Sequence, residues 1–179
     1  MAATVQIYER TTVTPTNTDI TTTNSRYLLA DSTSAATTSN PLQIPASSTN
    51  NSYWKSRYLN CTVTPAGTID TIKYYTDGAN SYGTGVTETV STANALTYVV
   101  ATGSATSGTL LSNANYSGSG STVNSFTYTS GSALSITGSI SNPSTGKISD
   151  FWVEQMNVAS TATPGATPTE TKTISWNET

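Results

Sequence analysis

The chain has 179 residues, a formal net charge of −3 and only 9% charged residues, and about a third of its residues are serine or threonine. It contains no histidine, which excludes a histidine-based catalytic triad and a histidine-ligated zinc or haem site. Its seven lysines and arginines are scattered, so they do not form the basic patch that nucleic-acid binding requires. This composition favours a structural or binding protein over an enzyme.

The length predicts one domain, and no apolar stretch approaches the roughly 18 residues that a membrane span needs. The first ten residues lack the basic start and the apolar core of a signal peptide, so we expect them to be the mature start of the protein. A single cysteine, Cys61, excludes an internal disulfide framework. Cys61 alternates with Leu59 and Val63, which predicts a buried, unreactive thiol.

Strands are predicted along the whole chain, because threonine, valine, isoleucine and tyrosine alternate between short polar breaks and no segment has a sustained helical period. The first strand, 4–10, places Val5 and Ile7 on one face. The others before the C-terminal region are 53–64, 69–75, 85–91, 96–101, 123–129 and 134–140. The second polar stretch, 103–121, is predicted to be an exposed loop.

Two C-terminal strands have the clearest pattern. In 148–158 one face carries Trp152 and Met156 and the other carries Phe151 and Val153. This predicts a central strand that is buried on both sides, or one that is buried on one side in the domain and on the other against a neighbouring subunit. In 169–177, Ile174 and Trp176 share one face, and we expect them to pack with Trp152 and Met156 as the core that stabilises the domain. The connection between the two strands is too long for a tight hairpin and is expected to cross between sheets.

These elements predict an all-β fold, a single β-sandwich of jelly-roll or immunoglobulin-like type formed by residues 52–179. Residues 1–51 are predicted to hold the first strand and a long polar arm, 11–51, rich in threonine and serine. We expect the arm to be exposed in the isolated subunit. Its apolar anchors should lie in grooves of the same or an adjacent chain; they are Leu28, Leu29, Leu42 and Ile44.

Carboxylates are the only catalytic groups that the composition leaves to test. Asp150 and Glu154 share a strand face, but four residues of strand separate their Cα atoms by about 13 Å. That exceeds the roughly 5–9.5 Å between the carboxyl groups of glycosidases, so solvated side chains or ion pairs with Arg57 or Lys147 are favoured. A calcium site from Asp70 and Asp77 stays an alternative, although no calcium-binding loop motif is present; we predict no metal and no cofactor.

Aromatic residues cluster in the middle of the chain, and two interpretations are open. They form part of the core, or they form a surface that binds a partner or a carbohydrate, since neutral sugars stack on aromatic rings without needing charge. Adjacent aromatic residues on a strand point to opposite faces, so one of each pair should face outward or into an interface. The candidates for this surface are Tyr53, Trp54, Tyr74, Tyr75 and Tyr82.

Three parts of the chain carry a family resemblance: ATVQIYE at 3–9; NSYWKSRY at 51–58 with GTIDTIK at 67–73; and ISDFWVEQMNV at 148–158 with ETKTISWNE at 170–178. Together they resemble virion structural proteins of tailed bacteriophages and prophages. The resemblance covers about half of the chain and carries no catalytic signature. It implies a subunit that packs on the capsid or within a head or tail accessory structure. The long threonine- and serine-rich segment 11–51 departs from the family pattern.

The leading hypothesis is therefore a non-enzymatic virion structural protein, a capsid-decoration, minor-capsid or head-fibre subunit assembled in the host cytoplasm. Its expected partners are other virion proteins or further copies of itself, with no nucleic acid and no membrane. Two alternatives stay open: a carbohydrate-binding or adhesin-like sandwich module, and a subunit of an extracellular filament.

Overall fold

The fold is an all-β sandwich, as the sequence predicts, in which two antiparallel sheets pack face to face. A computed structural model describes residues 2–33, 40–165 and 167–179. Residues 34–39 of the predicted arm lie outside the described residues. Within those that are described, no helix has the length and apolar character needed to cross a membrane.

The described strands follow one another along the chain with short irregular connections in most places. They are β1 (Thr4–Thr11), β2 (Thr16–Asp19), β3 (Thr49–Asn51), β4 (Lys55–Val63), β5 (Thr68–Thr76), β6 (Val86–Ser91), β7 (Thr122–Asn124), β8 (Leu134–Ile136), β9 (Ile140–Ser141), β10 (Gly146–Lys147), β11 (Trp152–Ala159) and β12 (Lys172–Glu178). One turn of 3₁₀ helix, Ser125–Thr127, follows β7.

The larger sheet has the strand order β2-β1-β4-β11-β6-β7, with β3 paired to β11 and β10 paired to β4. The smaller sheet has the order β12-β5-β8, with β9 also paired to β5. The first 51 residues thus contribute β1, β2 and β3 to the same sheet as β4 and β11. The two C-terminal strands belong to different sheets, so the connection between them crosses the sandwich as predicted.

The main core lies between the sheets and is built from alternate residues of facing strands. Leu59 and Cys61 of β4 and Trp152 of β11 face Ile72 and Tyr74 of β5. Each of these side chains is almost completely buried, and the free thiol of Cys61 is buried as its alternation with Leu59 predicts. Burial of this apolar surface supplies the main driving force for closing the sandwich.

A second core covers the outer face of the larger sheet, where the sequence predicts a strand at 96–101 and an exposed loop at 103–121. The first expectation is wrong, and the second is wrong in part, because 103–121 is a largely exposed loop with a few buried residues. The segment 96–101 is irregular because it packs across the sheet, and Trp54 Nε1 donates to Val99 O at 3.0 Å. In the loop, Leu111 and Tyr116 are buried against the sheet. Gly108 allows this approach, since a Cβ there would lie 2.2 Å from Ser52 O.

Two further predicted strands are shorter than expected. The segment 123–129 gives only β7, because Asn124 caps the 3₁₀ turn by accepting a hydrogen bond from the Phe126 amide at 3.0 Å. The segment 134–140 is divided into β8 and β9 at Gly138, whose φ of 151° is one that residues with a side chain rarely adopt.

The strand β11 is buried on both faces, which confirms the prediction made from its apolar pattern. Trp152 faces the core between the sheets, whereas Val153 and the preceding Phe151 face the second core. The expectation for β12 is wrong in part: Ile174 is half-buried, but Trp176 is exposed at 36%. The pairing of β12 with β5 shifts register between Ser175 and Asn177, so strict alternation does not extend to Trp176.

Replacing Trp176 by alanine is therefore expected to have a small effect. About a third of this side chain already contacts solvent, so we expect a loss of about 1–2 kcal/mol in the free energy of unfolding. Urea denaturation followed by fluorescence and circular dichroism would measure this loss. A loss as large as that of a fully buried tryptophan would show that Trp176 belongs to the core after all.

Candidate functional site

Six charged side chains form a continuous row that alternates in sign, here called the ion chain. Its members, in order, are Lys55, Glu9, Arg57, Glu154, Lys172 and Glu88. They come from β4, β1, β11, β12 and β6, so the row spans the larger sheet and reaches the smaller one. Its formal charges sum to zero.

The first half of the ion chain joins β1 to β4. Lys55 Nζ lies 3.0 Å from Glu9 Oε1, and Arg57 Nε lies 3.3 Å from Glu9 Oε2. Lys55 also donates to the carbonyl of Ser32, and Ser25 Oγ donates to Glu9 Oε2 at 2.5 Å. The 25–33 segment of the predicted arm is thus held to the sheet by the same charges.

The centre of the ion chain is Glu154, which is completely buried and accepts hydrogen bonds from both sheets. Its Oε2 bonds Arg57 Nη1. Its Oε1 accepts from Tyr74 Oη at 2.7 Å and lies 3.1 Å from Lys172 Nζ. Of the alternatives that the sequence left open, solvated carboxylates or ion pairs with Arg57 or Lys147, Glu154 thus forms an ion pair with Arg57. These bonds remove Glu154 from any pairing with Asp150.

The far end of the ion chain is formed by Lys172 and Glu88. Lys172 Nζ bonds Glu88 Oε1 and donates to Tyr27 Oη at 3.1 Å, so with Glu154 all three of its hydrogens have acceptors. Glu88 Oε2 accepts from Tyr82 Oη at 2.7 Å. Tyrosine hydroxyls therefore complete the hydrogen bonding of the two carboxylates next to Lys172.

Burial and neighbouring charges shift the pKa values of Glu154 and Glu88 in opposite directions. Burial alone would raise the pKa of Glu154, but the charges of Arg57 and Lys172 lower it to about 2. Burial raises the pKa of Glu88 above its ordinary value, because Lys172 compensates only in part. Burial likewise lowers the pKa of the Lys55 ammonium, against the opposing charge of Glu9. Of Glu154 and Glu88, Glu154 is therefore the carboxylate that the site holds more firmly in its charged form.

So many buried charges are unusual in a chain this poor in charge. Three of its ten acidic and three of its seven basic residues lie in the ion chain. Removing ions from water costs several kcal/mol each, and a buried ion pair often adds no net stability over an apolar pair. Buried and strongly perturbed ionisable groups beside a cleft mark candidate functional sites.

A cavity of about 950 Å³ opens beside the ion chain. Arg57 and Lys172 reach it from the chain, and Tyr27 and Tyr82 form part of its wall. The side chains of Arg57 and Lys172 are 10% and 15% exposed, whereas the three carboxylates are 0% exposed. The groups of the ion chain that reach the cavity are therefore hydrogen-bond donors, whereas its carboxylates are buried away from the cavity.

The aromatic residues predicted for a binding surface are not brought together. Trp54 and Tyr74 are buried in different cores, which overturns the surface interpretation for these two residues in favour of core packing. Tyr53 is half-buried beside the second core, and Tyr75 is half-buried on β5. Of the five, Tyr82 alone lines the cavity.

The predicted arm anchors lie against their own chain. Leu28 and Leu29 are each 7% exposed, so the arm is not fully exposed in the isolated subunit, contrary to expectation. Leu28, Leu42 and Ile44 all line the cavity, where Leu42 is half-buried and Ile44 is exposed. The arm thus supplies one wall of the cavity, and residues 162–165 and 167–170 supply another.

The remaining carboxylates predicted as candidates stay near the surface. Asp70 accepts a hydrogen bond from the Thr71 hydroxyl at 2.8 Å, and Asp77 accepts one from the Ala79 amide at 2.9 Å. Within residues 2–33, 40–165 and 167–179, no three histidine, cysteine, aspartate or glutamate side chains cluster as metal ligands would.

The ion chain was not predicted, although its signal is present in the sequence. On β4, Lys55 and Arg57 occupy the same alternating positions as the buried Leu59. On β11, Glu154 lies between Trp152 and Met156 on the same face of the strand. Glu88 lies between Val86 and Val90 in the same way. A charged residue that takes the place of an apolar one in an alternating strand pattern indicates a buried charge. When several strands carry such residues with opposite signs, their side chains are expected to form ion pairs with one another.

The fold and the site together define an all-β sandwich with an electrically neutral, buried ion chain beside a cavity. Searches with this chain found no matching family model, curated protein or solved structure.

Proposed function

We propose that the protein is a non-enzymatic structural subunit of a virion, of the capsid-decoration, minor-capsid or head-fibre kind, assembled in the host cytoplasm. One observation carries the proposal. The three parts of the chain that resemble phage structural proteins form neighbouring strands: β1, β4 and β11 in the larger sheet, and β5 and β12 in the smaller one. They also supply most of the ion chain, including Glu9, Arg57 and Glu154.

This arrangement supports a structural role because the segments that carry the resemblance form the strands that hold the domain together. The segments are distant in sequence, yet Glu9, Arg57 and Glu154 join them through buried charge-assisted hydrogen bonds. Such bonds favour one strand arrangement over others, since a slipped register would leave buried charges unpaired. A subunit that is repeated many times in a particle benefits from such a uniquely specified shape.

The expected partners are other virion proteins or further copies of the chain. The ends of the two sheets offer a route for such contacts, because β2 and β7 terminate the larger sheet and β12 terminates the smaller one. Edge strands present backbone groups with which a neighbouring chain can pair. On β12 the exposed Trp176 adds apolar surface to that edge.

The experiment is peptide mass spectrometry of purified virions from the source, combined with a tagged variant supplied during assembly. We expect the wild-type chain in the particles and reduced incorporation of Trp176→Ala, which should still fold. Leu96→Ala is the matched control, since Leu96 is 75% exposed but lies outside the edge strands. Absence of the chain from purified virions would overturn the proposed function.

A further inference from the structure

One side of the Arg57 guanidinium faces the cavity without a protein partner. Arg57 uses Nε for Glu9 and Nη1 for Glu154, and within the described parts of the chain Nη2 has no acceptor. The side chain is only 10% exposed and lines the cavity. Among the described residues, the buried side-chain donors without a partner do not include Nη2, so this group is open to the cavity and can donate to an oxygen atom of a ligand there.

The charge around the cavity favours a neutral ligand. The ion chain carries three positive and three negative groups, and Lys172 already has an acceptor for each of its hydrogens. The lining also holds one further charge of each sign, Arg26 and Glu170. The charges at the cavity and in the ion chain behind it therefore sum to zero, which fits a neutral ligand better than an anion or a cation.

Part of the wall is apolar or aromatic. Met156 and Val158 of β11 line the cavity together with Leu42, Tyr27 and Tyr82. Small-molecule sites typically have volumes of roughly 300–1,000 Å³ and combine such walls with a few fixed polar groups. The volume of about 950 Å³ lies within that range.

We propose that this cavity binds a neutral saccharide. A sugar ring offers hydroxyl and ring oxygens to Arg57 Nη2 and carbon–hydrogen faces to the apolar and tyrosine side chains. The saccharide would be a neutral mono- or disaccharide unit, either free or at the end of a larger glycan. The site differs from the surface predicted from sequence, with which it shares only Tyr82. It goes beyond the proposed virion role and does not depend on it.

The test is isothermal titration calorimetry of the purified full chain against neutral oligosaccharides of glucose, galactose, mannose and N-acetylglucosamine. Their uronic-acid and sialic-acid counterparts are titrated in parallel. Leu42→Trp should obstruct the cavity, because Leu42 is half-buried in its wall. Leu96→Trp makes the same change at an exposed position that does not line the cavity. Arg57→Lys keeps a positive charge for Glu9 and Glu154 but removes Nη2.

We expect saturable binding of at least one neutral saccharide, weakened about tenfold or more in Leu42→Trp and in Arg57→Lys and unchanged in Leu96→Trp. Melting curves establish which variants are folded, and if Arg57→Lys is unfolded the comparison of the two tryptophan variants decides. Lack of binding by every neutral saccharide, binding confined to acidic sugars, or binding that Leu42→Trp leaves intact would overturn the proposal. None of these results bears on whether the chain is present in virions.

Discussion

Replacing Trp152 by alanine is expected to lower the free energy of unfolding by about 3–5 kcal/mol. Trp152 is 1% exposed in the core between the sheets, and its ring lies 6.5 Å from that of Tyr74 of the opposite sheet. Its removal deletes contacts with both sheets and leaves a cavity that the surrounding strands fill only in part. Domains are stable by roughly 5–15 kcal/mol, so the variant should yield little soluble, folded protein.

Thermal unfolding followed by circular dichroism would measure the effect, and for a domain of this size a loss of 3–5 kcal/mol corresponds to about 6–20 °C in melting temperature. Trp152→Phe separates packing from polarity. Within the described residues Trp152 Nε1 is buried without a hydrogen-bond partner, so phenylalanine removes an unsatisfied donor while it keeps most of the contacts. Trp176→Ala serves as the exposed control. Wild-type melting of Trp152→Ala would contradict the position of this residue in the core.

The strands could be predicted from the sequence where alternation was regular and tertiary contacts agreed with it. For β11, apolar residues on both faces correctly indicated a central strand, because a strand between two cores has no polar face. The prediction at 96–101 was wrong for a physical reason. Tyr98 and Val99 are partly buried by lying across the outer face of the sheet, which alternation cannot distinguish from burial by strand pairing.

The cavity could not be predicted, because its walls come from parts of the chain that only the fold brings together. Leu42 of the arm, Met156 of β11 and Pro168 of the last connection are far apart in sequence and have no shared motif. The low complexity of 11–51 suggested an exposed arm, yet Leu28 and Leu29 are buried, and hydrogen bonds to Glu9 and from Lys55 hold the same segment against the sheet. A few apolar residues and hydrogen bonds in a polar segment can therefore determine where the segment packs.

Replacing Glu154 by glutamine is expected to lower the free energy of unfolding by about 3–5 kcal/mol at neutral pH. Glutamine has nearly the same shape, but it removes the negative charge that lies between Arg57 and Lys172. Its amide also offers one acceptor oxygen where the carboxylate accepts from Arg57, Lys172 and Tyr74 through two. The two cations are then left buried with too little negative charge, which costs more than losing a surface pair.

The pH dependence distinguishes loss of this charge from a general packing defect. The pKa of Glu154 is about 2 in the folded protein, below its ordinary value of 4.5, so its charge stabilises the fold above about pH 4.5. That contribution declines as the pH falls from 4.5 towards 2, because the unfolded chain binds the proton first. The difference in stability between wild type and Glu154→Gln should therefore shrink over this range. Glu88, whose pKa is raised, acts with the opposite sign but is present in both proteins.

Urea unfolding at a series of pH values between 2 and 7 would measure this difference. Asp150→Asn is the matched control, because Asp150 is half-buried outside the ion chain, and its substitution should change stability by no more than about 0.5 kcal/mol. A stability gap between wild type and Glu154→Gln that stays constant down to pH 2 would mean that the lost acceptor oxygen, and not the lost charge, accounts for the effect, because glutamine keeps the shape of the side chain. If the ion chain were dispensable, Glu154→Met, which removes the polar head altogether, would fold as well as Glu154→Gln. We expect instead that Glu154→Met is the less stable of the two, because it leaves Arg57 and Lys172 without any acceptor at this position.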